Sequence, residues 1–249
     1  MSPTPDIRIF DDQTKMFHGA AEEFASRATA AARSQGRFSV ALAGGSTPRS
    51  LYSLLAQNNS LPWDRIFFFF GDERHVPPDD AESNYRMVRE SLFSKVALPP
   101  ANVFRIPAED SDAKLAAKTY EQTLRQFFSA TGDGFFPRFD LVLLGMGPDG
   151  HTASLFPGTP ALQERSRWVV ADWVEKFKTD RITLTLPVLN NAAAVVFLVS
   201  GQDKAPTLKE VLEGKQSGEQ FPSKLIKPAK GELIWMVDRA AAEQLVPAA

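Results

Sequence analysis

The chain has 249 residues, 43% of them hydrophobic and 23% charged, with a formal net charge of −2. That length suits one large α/β domain with a substantial core, or two small domains, and the near-neutral balance offers no overall field for nucleic acid or an anionic membrane. Cysteine is absent, which excludes disulfides, thiolate metal sites and a cysteine nucleophile, and fits a reducing, cytoplasmic setting.

The opening MSPTPDIRIF has neither the basic nor the apolar region of a secretory signal, so none is expected. Apolar runs then alternate with segments of helical period. Strands are expected at 6–10, 38–43, 65–70, 102–106, 139–144, 168–174, 193–199 and 232–237. Several lack polar alternation, and Phe67 to Phe70 are consecutive phenylalanines, as in strands buried on both faces of a parallel sheet. The longest apolar run, 192–199, is too short to span a bilayer. Helices are expected at 13–34, 48–57, 84–95, 112–129, 203–213 and 238–245, with Gly36 past the end of the first and Ser83 and Ser111 as N-caps. The alternation reads as an open, mostly parallel α/β sheet with helices on both faces, Rossmann-like, in a single domain over 1–249. Ligands in such sheets bind beyond the carboxyl ends of the strands.

Four loops at those ends carry unusual chemistry. In AGGSTPRS (43–50), Gly44 and Gly45 permit a tight turn, Ser46 and Thr47 offer hydroxyls, and Pro48 suits the first helical position. The loop reads equally as a glycine turn with an N-cap or as an anion cradle at a helix N-terminus. In GDERHVPPDDAESN (71–84), Asp72, Glu73, Arg74 and His75 emerge together from the phenylalanine strand. A solvated charge cluster and a functional loop both remain open there.

The third loop, GMGPDG (145–150), satisfies the G-x-G-x-x-G dinucleotide fingerprint. That fingerprint requires a helix directed at the pyrophosphate, whereas Pro157, Gly158 and Pro160 close any helix within two turns, and Asp149 would repel the phosphates. Asp172, the acidic residue at about the right spacing, lies inside a strand rather than at its end. The match is therefore read as accidental. What remains is Asp149-Gly150-His151 on a flexible turn, with Gly147 and Gly150 allowing close approach. Of three histidines, His18 sits in a helix and His75 beside the charge cluster, so His151 is the best general-base candidate, against a purely structural role. In SGQDKAPTLKEVL (200–212), Lys204 falls in a first helical turn, where a cation is unfavourable unless an anion is present. Arg181, opening RITLTLP, is a weaker candidate of the same kind. No G-x-S-x-G elbow, H-E-x-x-H pair or histidine-rich ligand set exists.

In order along the chain, AGGSTPRSLY, FFFGDERHVPPDDAESNYRM, LVLLGMGPDGHTASLFPGTPAL, RITLTLPVLN and SGQDKAPTLKEVL resemble the blocks of the 6-phosphogluconolactonase family. The resemblance runs from about Phe38 to Trp235, with GMGPDGHTASLFP its most specific block. It implies the α/β fold shared with glucosamine-6-phosphate deaminases, and hydrolysis of 6-phospho-D-glucono-1,5-lactone without metal or organic cofactor. By the same resemblance His151 is the base that activates water and Asp149 its orienting partner. Gly44, Gly45, Ser46, Thr47, Asp72, Gly147 and Gly150 line the substrate, and Arg74, Arg181 and Lys204 meet its phosphate and ring oxygens. The implied partner is the phosphorylated sugar lactone alone, with no nucleic acid or membrane and only a pathway link to glucose-6-phosphate dehydrogenase. Two alternatives stand beside this. A deaminase-like isomerase would carry a glutamate five positions beyond the histidine, where this chain has Phe156. A non-catalytic sugar-phosphate sensor would have lost the base or gained a DNA-binding segment.

Overall fold

The computed structural model describes residues 4–129, 132 and 134–246; the first three residues of the opening stretch read for a signal lie outside the described residues. Among the described residues nine strands form: β1 (Asp6–Phe10), β2 (Phe38–Leu42), β3 (Ile66–Phe70), β4 (Asp72–Arg74), β5 (Leu141–Gly145), β6 (Val169–Val174), β7 (Thr179–Leu184), β8 (Ala194–Val199) and β9 (Glu232–Asp238). Six α-helices accompany them among the same residues: α1 (Gln13–Gln35), α2 (Ser46–Leu55), α3 (Asn84–Ser91), α4 (Ala113–Phe127), α5 (Leu186–Leu189) and α6 (Ala205–Glu213).

Six strands make a wholly parallel sheet in the order β1-β9-β8-β5-β2-β3. Strands β2 and β8 are buried at every position, which requires cover on both faces and explains why Ser39 is the one polar residue in either. The order reverses between β2 and β5: the chain builds outward to β3 on one side and through β8 and β9 on the other. That reversal splays the following loops apart and opens a crevice above the carboxyl ends.

A second, antiparallel sheet, β4-β7-β6, was not legible in advance. Its β6 is the expected 168–174 strand, but β4 and β7 are additions. Residues 102–106 are not a strand: Pro100–Asn102 turn as a 3-10 helix, and only Val103 bridges to Phe68. The helix expected at 238–245 is absent: Asp238 ends β9 and turns follow, because the Asp238 carboxylate accepts the Ala241 N–H at 2.8 Å and the Gly201 N–H at 3.2 Å, tying the segment back to the loop after β8. Caps follow the expectation at Gly36 (φ 76°) and Ser83, whose side chain accepts the Arg86 N–H; at α4 the cap is Asp112 rather than Ser111.

Candidate active site

Four loops leave β2, β3, β5 and β8 side by side and enclose a cleft of about 420 Å³. Each loop is pinned at its root. The buried Tyr52 hydroxyl donates to Ala43 O at 2.8 Å and accepts from Ala43 N at 3.0 Å, fixing the exit of β2. Tyr120 does the same for Phe70 at the exit of β3, at 3.1 and 2.8 Å. Thr152 Oγ1 donates to Gly145 O at 2.8 Å beyond β5, and Asp238 accepts from Ser200 Oγ and Gly201 N beyond β8. A cleft whose walls are anchored in this way arrives preorganised.

After β2, Gly45 adopts φ 103°, open to glycine at no steric cost, and α2 begins at Ser46, two residues before the expected start. Pro48 is thus the third helical residue, so the N–H groups of Ser46 and Thr47 remain free. No side chain caps α2, in contrast to α1, α3 and α4. A side chain on Gly44 would occupy the space of the Asn84 amide, 1.9 Å from its Oδ1. Asn84, which sequence reasoning did not single out, donates in turn to Asp72 O at 3.0 Å and Asp72 Oδ1 at 3.3 Å.

The acidic pair after β3 divides its labour. Asp72 lines the cleft and accepts the Ser154 hydroxyl at 2.6 Å. Glu73 turns inward, accepts the N–H groups of Arg74, Asn84 and Tyr85 at 2.7–2.9 Å, and holds the start of α3. Burial pushes its carboxyl up against those bonds. His75 contacts Asp110 O through Nε2 at 2.6 Å and does not line the cleft; His18 is exposed on α1.

Register places Arg74 directly opposite Arg181 on the β4–β7 ladder, and both line the cleft. Arg181 is only 7% exposed and its Nε has no hydrogen-bond partner. Its guanidinium lies 5.0 Å from the centre of the Phe177 ring. Desolvation, then repulsion from Arg74, pulls its pKa down, opposed by Asp72, Glu82 and Glu73. Two arginines set side by side give this wall of the cleft a positive charge that can pair with an anion. Lys204 lines the opposite wall; it is the N-cap residue of α6, not within its first turn, and pairs with Asp203 at 3.1 Å.

The loop after β5 folds on itself, with Gly147 N donating to His151 O at 2.9 Å and Gly150 N to Gly147 O at 3.0 Å. No helix follows, so the dinucleotide reading fails on structure as on sequence. His151 Nδ1 lies 2.5 Å from Asp149 Oδ1. A carboxylate only accepts, so Nδ1 carries the proton and Nε2 presents its lone pair. Partial burial pushes the Asp149 carboxyl up, but the bond and charge of His151 and then the Lys176 ammonium outweigh it and hold it well below the usual range. Phe156 covers the imidazole, with ring centres 4.2 Å apart. Gly147 lines the cleft beneath the imidazole; Gly150 does not, its close neighbour being Phe221 rather than a ligand. Among the described residues no cluster of three or more histidine, aspartate or glutamate side chains could hold a metal, and no helix is long and apolar enough to cross a membrane.

The family described as glucosamine-6-phosphate isomerases/6-phosphogluconolactonase matches residues 11–235. A 6-phosphogluconolactonase of Nostoc sp. is 41% identical over 96% of this chain and 98% of its own length. The human protein of that name is 40% identical over 98% of this chain and 95% of its own. Among solved structures, 6-phosphogluconolactonase from Trypanosoma cruzi superposes with a TM-score of 0.88 at 32% identity, covering 99% of this chain and 98% of that one. A monomeric glucosamine-6-phosphate deaminase shares the fold alone, at 22% identity and TM-score 0.80, over 96% of this chain and 99% of its own.

Proposed function

The chain belongs to the glucosamine-6-phosphate isomerase/6-phosphogluconolactonase family, and from that membership we propose how its cleft carries out the reaction. The protein is an enzyme that hydrolyses 6-phospho-D-glucono-1,5-lactone to 6-phospho-D-gluconate, in the oxidative pentose phosphate pathway. His151 takes a proton from water through Nε2 while that water attacks the lactone carbonyl. Asp149 holds the tautomer and stabilises the imidazolium that forms. The developing oxyanion is met by N–H groups of the glycine loop around Gly44 and Gly45. Collapse of the tetrahedral intermediate breaks the ring C–O bond, and the imidazolium returns its proton to the leaving hydroxyl. A lactone is an activated ester, so a positioned water, one base and preorganised donors suffice.

Arg74 and Arg181, with the open N-terminus of α2 and Lys204, take the phosphate and ring oxygens; Asp72 accepts from a ring hydroxyl. One domain carries every part of this chemistry. The absence of cysteine supports a cytoplasmic location, and the substrate arrives as a free lactone from glucose-6-phosphate dehydrogenase without a binding partner. The observation that carries the mechanism is the 2.5 Å Asp149–His151 contact at the floor of the cleft. His151→Gln tests it: kcat should fall by roughly two to four orders of magnitude with the fold intact. A variant that keeps near-parental hydrolysis above the spontaneous rate would place the base elsewhere.

A further inference from the structure

The reaction uses one oxygen of Asp149; the other is occupied by a residue outside the cleft. Oδ1 faces His151, at 2.5 Å from Nδ1 and 3.3 Å from its backbone N. Oδ2 accepts the Lys176 ammonium at 3.0 Å. Lys176 lies in the turn joining β6 to β7, closed by the Phe177 N–H donating to Val174 O at 3.0 Å. The next residue, Phe177, packs edge-on against Phe156 at 5.6 Å, and Phe156 covers His151. One exposed turn therefore reaches the imidazole twice: by charge through Asp149 and by ring packing through Phe156.

We propose that Lys176 is a positioning residue for the hydrolysis: by pairing with Oδ2 it commits Oδ1 to His151, and by its charge it opposes protonation of the imidazole. This rests on the reading of His151 as the base. A carboxylate whose second oxygen is free can swing towards solvent, taking the tautomer-fixing bond with it. An unopposed carboxylate also favours the imidazolium, the form that cannot accept a proton from water. Lys176 acts against both, and it does so without lining the cleft.

Other charged groups line the same cleft as His151. Asp72 and Arg74 come from β4, Glu82 from the segment before α3, Arg181 from β7 and Lys204 from the start of α6. The loop backbone itself meets neutral hydroxyls: Thr207 of α6 donates to Pro148 O at 2.8 Å, and Ser223 Oγ donates to Gly150 O at 2.8 Å. Only His151 and Lys176 hydrogen-bond the Asp149 carboxylate among the described residues. Lys176 is therefore the one cation whose removal changes that carboxylate directly. Its side chain is 54% exposed, so its field is moderate and open to screening.

The test is kcat/KM for the phosphorylated lactone against pH, for the parent, Lys176→Met and Lys176→Arg, at about 0.05 and 1 M salt. The acid limb reports the free enzyme's base. Lys176→Met should move that limb to higher pH by about half a unit, the scale of a unit charge one carboxylate away. On the limb this is about a threefold loss, and the plateau falls as well, through kcat rather than KM, as the freed carboxylate releases the imidazole. Lys176→Arg should restore the parental limb, and 1 M salt should narrow the gap between parent and Lys176→Met. Superimposable limbs would overturn the proposal, and so would a pH-independent loss with raised KM, which marks a substrate contact. Failure of the base itself reads differently: His151→Gln would then stay active whatever Lys176 does.

Discussion

Gly147→Ala should silence the enzyme while leaving it folded. A Cβ at this position would sit 2.0 Å from His151 Cε1 and 2.1 Å from Nδ1, where carbon contacts require about 3.5 Å. The imidazole must therefore retreat by more than about 1 Å. It cannot do so freely, because Phe156 lies over one face at 4.2 Å and Asp149 holds Nδ1 at 2.5 Å. Any retreat lengthens that bond and carries Nε2 from the water it must deprotonate. A misplacement of about 1 Å costs on the order of a hundredfold in rate, so kcat should fall at least that far. Gly147 is not among the glycines with positive φ, so alanine brings no backbone strain there, and Tm should drop by only a few degrees. Gly150→Ala is the control with the opposite signature. Its φ is +73° and its Cβ would meet Phe221 Cδ1 at 2.6 Å, so stability should fall by about 1–2 kcal/mol or more. The assay is consumption of freshly generated phosphorylated lactone with spontaneous opening subtracted, beside a thermal melt. Parental kcat in a folded Gly147→Ala protein would refute the placement of the base.

Arg181→Ala should cost roughly ten- to a hundredfold in kcat/KM for the phosphorylated lactone, the value of one charge-assisted bond of about 1.5–3 kcal/mol, and far less for plain gluconolactone. Equal losses on both lactones would remove Arg181 from the phosphate site. Glu164 tests acid stability: desolvation pushes its carboxyl up, but N–H bonds from Arg167 and Ser166 and the Arg167 guanidinium bring it down to about 2 from an ordinary 4.5. Because the folded value is the lower, the stabilisation is complete above pH 4.5 and is lost as pH falls towards 2. With allowance for solvent screening it amounts to about 1 kcal/mol, so the Tm gap between parent and Glu164→Gln should close along that interval; a gap constant with pH would exclude the linkage.

The parallel sheet was legible because strands buried on both faces announce themselves as apolar runs, and the loops after them are where such a sheet places its chemistry. That reasoning located His151, Asp149 and the glycine loop. It could not find β4, whose three residues Asp72, Glu73 and Arg74 have no strand character of their own and are extended only because β7 pairs with them. The arginine pair was hidden for the same reason: Arg74 and Arg181 are far apart in sequence and become neighbours through ladder register. Lys176 lay in a polar turn like any other, and its link to Asp149 exists only in space. The false strand at 102–106 had suitable composition, but Pro99 and Pro100 impose a 3-10 turn where pairing would have to begin.

The charge around the base explains why this cleft suits a lactone and not a ring-opening isomerisation. Hydrolysis needs one neutral imidazole, whereas the isomerase pattern adds a glutamate where this chain has Phe156. A carboxylate there, 4.2 Å from the imidazole on a side chain only 6% exposed, would be desolvated and would draw a proton onto the ring. Phenylalanine leaves Asp149 as the only carboxylate hydrogen-bonded to His151 among the described residues, and Lys176 already compensates it. Arg74, Arg181 and Lys204 also line the cleft, and in the proposed reading they take the substrate's phosphate. In that reading a phosphate seated on the arginine pair also fixes the sugar ring, so binding energy far from the carbonyl would be spent on holding that carbonyl before the base.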